Sequence, residues 1–254
     1  MAQPILKKTQ HTHDFFFQEA TILLILFGQL DLHWRGEQDS YYPGSALLLV
    51  DAGTTVNMVK TPSLESKQFR SCFLTLAPTL VEEFRRNTAI VLPAPAVNKP
   101  YRTVITTEDL QETLRRVYQD IAAPAVSDER LRYRLLDLLC GIAEQGGMFS
   151  MFSNSTATAK VRALIASAPE RSWTAPMIGE LLAMSEATLR RRLATEKTGF
   201  EALLTDVRMH HALMLLQTTL LPITHVAELS GYRSRSRFSQ RFLKRFGYSP
   251  IEVR

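Results

Sequence analysis

Arginine and small hydrogen-bonding side chains are concentrated in two short stretches near the carboxyl end of the chain. Three consecutive arginines stand at 190–192, and a second stretch, 233–241, mixes Arg, Ser and Gln. Guanidinium groups match the acceptors on guanine edges and the oxygens of phosphate groups, while hydroxyl and amide groups also reach base edges. The chemistry that these residue types predict is contact with DNA.

Each stretch lies in the second helix of a helix-turn-helix pattern. The two patterns occupy 175–193 and 223–242, and each combines a short amphipathic helix, a tight turn and an Arg-rich helix. Ser185 and Ser234 are the predicted N-caps of the Arg-rich helices. Gly231 is the predicted turn residue of the second pattern, because glycine adopts a positive φ at little cost. Helices of this kind fit the major groove, and two in tandem are a much stronger signal than one.

Apolar residues at a spacing of four indicate which side of each Arg-rich helix faces a core. Leu189 and Leu193 must be buried, so at least two of the three neighbouring arginines can reach DNA. Phe238 and Phe242 have the same spacing in the second pattern. A long helix predicted at 200–217 would act as a rigid spacer between the two patterns.

The basic character of the chain is confined to this part. Residues 160–254 contain 15 Lys and Arg against 8 Asp and Glu, a charge of +7, and the remainder carries −2, which together give the net +5. This distribution is typical of a DNA-binding domain joined to a near-neutral partner domain.

The amino-terminal part has the pattern of short strands followed by helices. Apolar runs separated by Gly and Pro continue to about Pro78 and predict a β-sandwich or small barrel. Thr107 and Ser127 are predicted N-caps of two later helices. The stretch 148–157, rich in Ser, Thr and Asn, is the predicted linker. The fold class predicted is α+β with two domains, an amino-terminal one at 1–147 and an all-α one at 158–254.

A pattern of apolar, glycine, aromatic and proline positions runs through the end of the chain. Its members are 208–216, Ile223, Val226, Ala227, Gly231, Tyr232, Phe238, Phe242, Phe246, Gly247, Tyr248, Ser249 and Pro250. These residues resemble the signature of the AraC/XylS family of bacterial transcription regulators. The resemblance covers roughly 158–254 and implies seven helices, with two recognition helices in adjacent major-groove segments. It also implies a transcriptional regulator, more often an activator, that contacts RNA polymerase.

The resemblance assigns DNA contacts by position. The residues implied are Ala187, Arg190 and Arg191 in the first unit, and Arg235, Ser236, Ser239 and Gln240 in the second. Ala187 is smaller than the residues that the family often has there. We therefore expect from it no more than contact with a thymine methyl group.

The segment 41–54 resembles, more weakly, part of the cupin-like sensor domain of the same family. That likeness implies a small β-barrel or sandwich, followed by helices that dimerise. The leucine-striped helix at Asp128–Glu144 is the predicted dimer element, and packing within its own domain is the alternative.

Some relatives bind fatty acids or other small anions through lysine and tyrosine side chains. The matching residue types here are Lys7, Lys8, Tyr41 and Lys60. Solvated surface charge is the alternative interpretation of these four side chains.

Other chemistries receive little support from the residues. His11 and His13 have no third converging ligand, so we expect no metal and no cofactor. A DNA-repair alkyltransferase, which is fused to this type of domain in some proteins, needs a cysteine activated by His or Lys. Cys72 and Cys140 lie in apolar contexts without such neighbours, so we expect no enzyme activity. A non-specific nucleoid protein is the other alternative, and a steep salt dependence without sequence preference would mark it.

The sequence also predicts where the protein works. The apolar run at 20–28 is too short to cross a bilayer, and no secretory signal follows Met1. We expect a cytoplasmic protein.

Overall fold

The computed structural model describes residues 5–44, 46–90, 99–123, 126–150 and 156–253. The chain forms two compact units: unit 1 comprises 1–10 and 16–152, and unit 2 comprises 11–15 and 153–254. Met148 and Phe149 are buried in the core of unit 1, so the linker predicted at 148–157 begins too early. Residues 151–155 of that prediction lie outside the described residues.

Short strands form two antiparallel sheets. The strands are β1 (Ile5–Leu6), β2 (Gln10–Phe17), β3 (Ala20–Phe27), β4 (Gln29–Trp34), β5 (Glu37–Tyr41), β6 (Ala46–Val50), β7 (Thr54–Thr61), β8 (Phe69–Leu76) and β9 (Tyr101–Ile105). One sheet has the order β1-β8-β3-β6-β9 and the other β2-β7-β4-β5. Within the described residues the strands thus form separate sheets and not the closed barrel that was one of the two predicted alternatives.

Burial along the strands follows their position in the sheets. In β7, Thr54, Val56, Met58 and Lys60 are buried while the residues between them are more exposed, the alternation of a strand with one face inward. In β3, Ile22, Leu23 and Ile25 are all buried, so side chains on both faces of this strand are covered.

Three helices pack on the five-stranded sheet. They are α1 (Pro78–Asn87), α2 (Glu108–Ala122) and α3 (Asp128–Glu144). The predicted caps are confirmed, since the Thr107 and Ser127 side chains accept hydrogen bonds from Leu110 N and Arg130 N. The buried apolar residues of the three helices share one core with Ile22 and Leu49 of the sheet.

The leucine stripe of α3 belongs largely to this core. Leu138, Leu139 and Ile142 are completely buried inside unit 1. Packing within its own domain, the alternative weighed for this stripe, is therefore what these three side chains do.

Unit 2 is helical. Its described elements are α4 (Ala157–Ser167), α5 (Ala175–Leu181), α6 (Glu186–Thr195), α7 (Phe200–Thr218), α8 (Ile223–Leu229), α9 (Arg235–Phe246) and a 3₁₀ helix (Pro250–Val253). One core joins α4, α5, α6 and the first half of α7, and a second joins the rest of α7 to α8, α9 and the 3₁₀ helix. In the described part of the chain, no helix has the length and apolar character needed to cross a membrane.

Candidate nucleic-acid interface

The first helix-turn-helix is formed by α5 and α6. Ser185 caps α6 by accepting a hydrogen bond from Thr188 N at 3.2 Å, as the sequence predicted. The turn before it requires a close approach, because a Cβ on Gly179 would lie 2.7 Å from the carbonyl oxygen of Met184. Larger residues at position 179 would force α5 and α6 apart.

The burial of Leu189 and Leu193 sets the rotation of α6. Both are completely buried, and Arg191 projects from the opposite side, about 200° from Leu189 at about 100° per residue. Arg191 and Ala187 are exposed on this outer side. Arg190 is exposed on the flank, where its Nε donates to Glu186 Oε1 at 2.7 Å. The outer face of α6 thus offers one guanidinium directly and a second one already paired with a carboxylate.

The second helix-turn-helix is formed by α8 and α9. Gly231 has a φ of +78°, which confirms the predicted turn residue. The Ser234 side chain accepts from Arg237 N at 3.4 Å and caps α9. Phe238 and Phe242 are completely buried, as their spacing predicted.

The side of α9 opposite the phenylalanines carries Ser236 and Gln240, which the sequence suggested, together with cations that it did not. Arg237, Gln240 and Lys244 follow one another at spacings of three and four and share this outer face. Of the predicted contact residues, Gln240 lies in this row and Ser236 is exposed beside it. Arg235 is exposed in the first turn of the helix, on the side of Phe238, and Ser239 is half-buried.

A basic groove of about 770 Å³ runs along this face. Its lining consists of Arg208, Gly231, Tyr232, Arg233, Ser234, Arg237, Gln240, Arg241 and Lys244. Five of these described residues are cationic and none is acidic, so the groove attracts polyanions. Sequence reasoning missed Arg233, Arg237, Arg241 and Lys244. The signal that finds three of them is the helical projection from the buried Phe238 and Phe242.

Arg208 forms the inner wall of the groove. Its Nε and one terminal nitrogen donate to the carbonyl oxygens of Pro169 and Arg171, both at 2.9 Å. Its guanidinium carbon lies 5.8 Å from the centre of the Tyr232 ring. Burial lowers the pKa of Arg208 and raises that of Tyr232. Arg208 is thus held in place by the protein, unlike the exposed arginines around it.

The four residues suggested for an anionic effector fall into two groups. Lys7 and Lys8 are exposed. Tyr41 and Lys60 both pair with Leu30, on the two strands that flank β4, so the three side chains form one row on one face of the sheet. Because Leu30 is completely buried, this row faces inward.

The row has unusual electrostatics. Lys60 is 5% exposed, and burial lowers its pKa to about 8. Its ammonium lies 5.9 Å from the centre of the Phe69 ring. Burial, assisted by the Asp39 carboxylate, raises the pKa of Tyr41 to about 12. The structure therefore brings together a buried lysine and a protonated tyrosine, and it leaves Lys7 and Lys8 at the surface.

Both cysteines lie in unit 1, outside the basic groove. Cys72 is buried in β8, and Cys140 is half-buried on α3, where burial and then the carboxylates of Asp137 and Glu144 raise the pKa of its thiol. A raised pKa disfavours the thiolate that nucleophilic chemistry requires. Among the described residues, no three His, Cys, Asp or Glu side chains converge as they would around a metal ion.

Residues 178–254 match a family model described as a helix-turn-helix domain. The virulence regulon transcriptional activator VirF of Shigella flexneri is 30% identical over 125 residues, which are 48% of this chain and 48% of VirF. The chain thus spans about half the length of the curated relatives that it matches.

Solved structures extend the likeness to the whole fold. A ligand-free variant of ToxT from Vibrio cholerae has a TM-score of 0.71 at 20% identity, with 98% of this chain and 94% of that one covered. Wild-type ToxT bound to an unsaturated fatty acid has a TM-score of 0.67 at 20% identity, over 99% and 92% of the two chains. The matched proteins share the combination of a sheet-rich unit and a helical unit described above.

Proposed function

We propose that the protein is a sequence-specific, DNA-binding transcription regulator, because its helical unit belongs to the AraC/XylS family of helix-turn-helix proteins. VirF is named as a transcriptional activator, and activation is the sign that we propose here too. The observation that carries the proposal is the same on both recognition helices. In α6 and in α9, a basic outer face lies directly opposite a completely buried apolar stripe.

In each recognition helix, we assign some residues to base contacts and others to phosphate contacts. In α6, Arg191 projects furthest and is the base-reading candidate, Ala187 beside it suits a thymine methyl group, and Arg190 suits a phosphate. In α9, Ser236 and Gln240 occupy the positions equivalent to Ala187 and Arg191, and Arg237 is exposed beside them. Ser236, Ser239 and Arg235 suit contacts near the start of the helix, where the amide groups also favour phosphate.

The remaining cations of the groove have a positioning role. Arg233, Arg241 and Lys244 flank the outer row of α9, and we assign them to the DNA backbone. Phosphate contacts supply affinity without sequence preference, whereas base contacts supply the preference. The loss of a groove cation should therefore weaken binding to all sequences alike.

Genome-wide occupancy of the tagged protein in its host tests the proposal. Wild-type protein should occupy discrete promoters, and Arg191→Ala or Arg237→Ala should each reduce specific affinity by about 1–3 kcal/mol, enough to remove most peaks. Arg116→Ala is the matched control, because Arg116 is an exposed arginine of unit 1 that pairs with Glu112. Diffuse occupancy that neither recognition-helix variant changes would contradict the proposal and favour a non-specific binder.

An effector is the second part of the proposal. One solved structure of ToxT contains a bound unsaturated fatty acid. In this chain, the inward row of Lys60, Leu30 and Tyr41 offers an ammonium, an apolar side chain and a phenol to a ligand with a carboxylate and an apolar body. We propose that a small organic anion of this kind binds in unit 1.

Contacts with RNA polymerase and with a second copy of the chain complete the proposed regulator. Because Leu138, Leu139 and Ile142 are occupied within unit 1, a dimer through α3 would have to use its outer side, where Tyr133 is 57% exposed. Sedimentation velocity of wild-type protein and of Tyr133→Asp tests this. A monomer at all concentrations, or a dimer that the substitution leaves intact, would exclude this interface.

We propose no enzymatic activity. Cys72 is buried, and burial raises the pKa of the Cys140 thiol, which disfavours the thiolate that nucleophilic chemistry requires. Normal DNA binding by Cys72→Ser and Cys140→Ser variants is the expected result. Detection of alkyl transfer that either substitution abolishes would overturn this statement.

A further inference from the structure

Helix α7 contributes side chains to both apolar cores of unit 2. Phe200, Leu203 and Val207 belong to the core that holds α6. Met209, Ala212 and the following buried residues of α7 belong to the core that holds α9. The change from one core to the other takes place between Val207 and Met209, within a single turn of the helix.

At the point where α7 passes from one core to the other lies the carboxylate of Asp206, which residues of both halves share. Asp206 forms ion pairs with Arg162 of α4, at 2.6 Å from Nη1 to Oδ2, and with Arg245 of α9, at 2.7 Å from Nε to Oδ1. The side chains of all three residues are less than a fifth exposed, at 16%, 17% and 18% for Arg162, Asp206 and Arg245. The two arginines come from helices of the two different helix-turn-helix halves, and each uses its own oxygen of the carboxylate.

Such an arrangement constrains geometry more than an apolar contact does. The contact between Arg245 and Asp206 is a charge-assisted hydrogen bond, which is directional, and a buried ion pair has few alternative arrangements that keep its charges satisfied. Burial by itself would raise the pKa of Asp206, but His210, Arg162 and Arg245 lower it overall, so the carboxylate is ionised at neutral pH.

A neighbouring residue spans the halves in the same way. Arg208 donates to the carbonyl oxygens of Pro169 and Arg171, which follow α4, and stacks near Tyr232, which precedes α9. Two polar links, one turn of α7 or less apart, therefore connect the half that carries α6 to the half that carries α9.

We propose that Asp206 is a positioning residue for DNA recognition, which fixes α6 relative to α9 and thereby sets the separation of the two DNA segments that the protein accepts. This inference rests on the proposed function. Asp206 itself contacts no DNA in this scheme. It affects how α6 is placed relative to α9, and it leaves the contacts that each helix makes with its own DNA segment unchanged.

The test is a set of DNA duplexes made from one strongly occupied promoter site. In successive duplexes, one or two base pairs are inserted or deleted between the segments contacted by α6 and by α9. Each base pair rotates and translates one segment relative to the other by about a tenth of a helical turn. Wild-type protein should lose about tenfold or more in affinity for each change of spacing, because one helix then misses its groove.

Asp206→Asn should show a flatter dependence on spacing. It keeps the shape of the side chain and removes the charge that both arginines share. We expect its loss across the same duplexes to be about threefold or less, while its affinity for a duplex with only one of the two segments stays at the wild-type value. Asp206→Glu, which restores the charge, should recover a sharp preference.

Glu196→Gln is the matched control. The Glu196 carboxylate accepts from Ala157 N and Thr158 N, so it is a helix-capping contact inside the first half alone. Its loss should lower stability and leave the spacing preference as sharp as in wild type. Arg162→Met, which removes only the α4 side of the link, should behave like Asp206→Asn and serves if that variant fails to fold.

The outcomes separate the two levels of inference. An Asp206→Asn or Arg162→Met variant that folds and keeps the wild-type spacing preference would overturn the positioning role, and so would a uniform loss on every duplex. Wild-type protein that binds all sequences equally would instead overturn the proposed function.

Discussion

Position 231 favours glycine for two reasons, the conformation of its backbone and the close approach of a neighbouring side chain. Its φ of +78° is one that residues with a Cβ adopt at a cost of about 1–2 kcal/mol. A Cβ at this position would also lie 2.6 Å from the guanidinium carbon of Arg208. Any larger residue must displace the side chain that forms the inner wall of the basic groove.

Gly231→Ala should therefore cost more than backbone strain alone. Gly247 provides the comparison, since its φ is +81° and a Cβ added there would meet no atom within 4 Å. We expect Gly247→Ala to lower the free energy of unfolding by about 1 kcal/mol and Gly231→Ala to lower it by at least about 1 kcal/mol more. Urea unfolding of both variants measures the difference, and equal losses would show that Arg208 yields freely.

Residues whose roles depend on local sequence were predictable. The caps at Ser185 and Ser234 and the turn at Gly231 are determined within a few residues of chain, and the sequence identified all three. Arg237 was missed because the contact residues of α9 were assigned by position from the family resemblance, although the predicted burial of Phe238 and Phe242 already sets the rotation of the helix. The row that joins Lys60 to Tyr41 depends on strand pairing between distant segments, which a single sequence does not reveal.

At the scale of elements, α7 is more than the spacer that its sequence suggested. The predicted bounds, 200–217, nearly match the observed Phe200–Thr218. The apolar pattern alone could not show that successive turns of this helix serve different cores. The charged residues between those turns, which look like an ordinary solvated face, are in fact buried against α4 and α9.

His210 gives α7 a measurable dependence on pH. Its Nδ1 donates to the carbonyl oxygen of Asp206 at 2.9 Å, and its ring centre lies 5.6 Å from that of Phe246. Burial lowers the pKa of His210 to about 4, and the positive charges of Arg245 and Arg162 contribute to this lowering. Asp206 acts in the opposite direction and raises the pKa. In the unfolded chain the same imidazole titrates near its ordinary pKa of 6.5.

The sign of the effect follows from proton binding. Between about pH 6.5 and pH 4 the unfolded chain binds a proton that the folded chain does not, so stability falls as the pH falls through this window. We expect unit 2 to lose about 2 kcal/mol between pH 7.5 and pH 5 through His210, with His211, whose pKa burial also lowers, adding in the same direction. Above pH 6.5 stability should change little.

Tryptophan fluorescence can follow this unit alone. The chain has two tryptophans, and Trp34→Phe leaves Trp173, which is buried in unit 2, as the reporter. Urea unfolding at the two pH values should show a smaller pH dependence in His210→Gln and an unchanged one in His225→Gln, whose side chain is exposed. A pH dependence as large in His210→Gln as in wild type would assign it to another group.

At the scale of the whole molecule, charge and chemistry are divided between the two units. The segment 160–254 carries +7 and the remainder −2, so polyanions are drawn to the helical unit. The sheet-rich unit has its buried cation, Lys60, on an inward face where a small anion with an apolar body is the better match. The sequence predicted this division from composition, and it could not predict the inward direction of Lys60.

A carboxylate effector should therefore stabilise the protein through Lys60. At a hundredfold excess over its dissociation constant a ligand contributes about 2.7 kcal/mol, which raises the melting temperature by a few degrees. Thermal melting with a panel of carboxylates, unsaturated fatty acids included, should show such a shift for wild type and for Lys7→Met but not for Lys60→Met. If no member of the panel shifts the wild-type transition, the proposed effector class is wrong.

The division of α7 between two cores also bears on how much of the proposed regulator a cell contains in folded form. Neither half of the helical unit keeps a complete core if the other half opens, because the opened half takes part of α7 with it. We expect the halves to unfold in one cooperative step, so proteases would meet molecules with both recognition helices folded or with neither. The amount of folded protein would then fall steeply over a narrow range of temperature. Forms in which only one recognition helix is folded, and which could occupy promoters through that helix, would not accumulate.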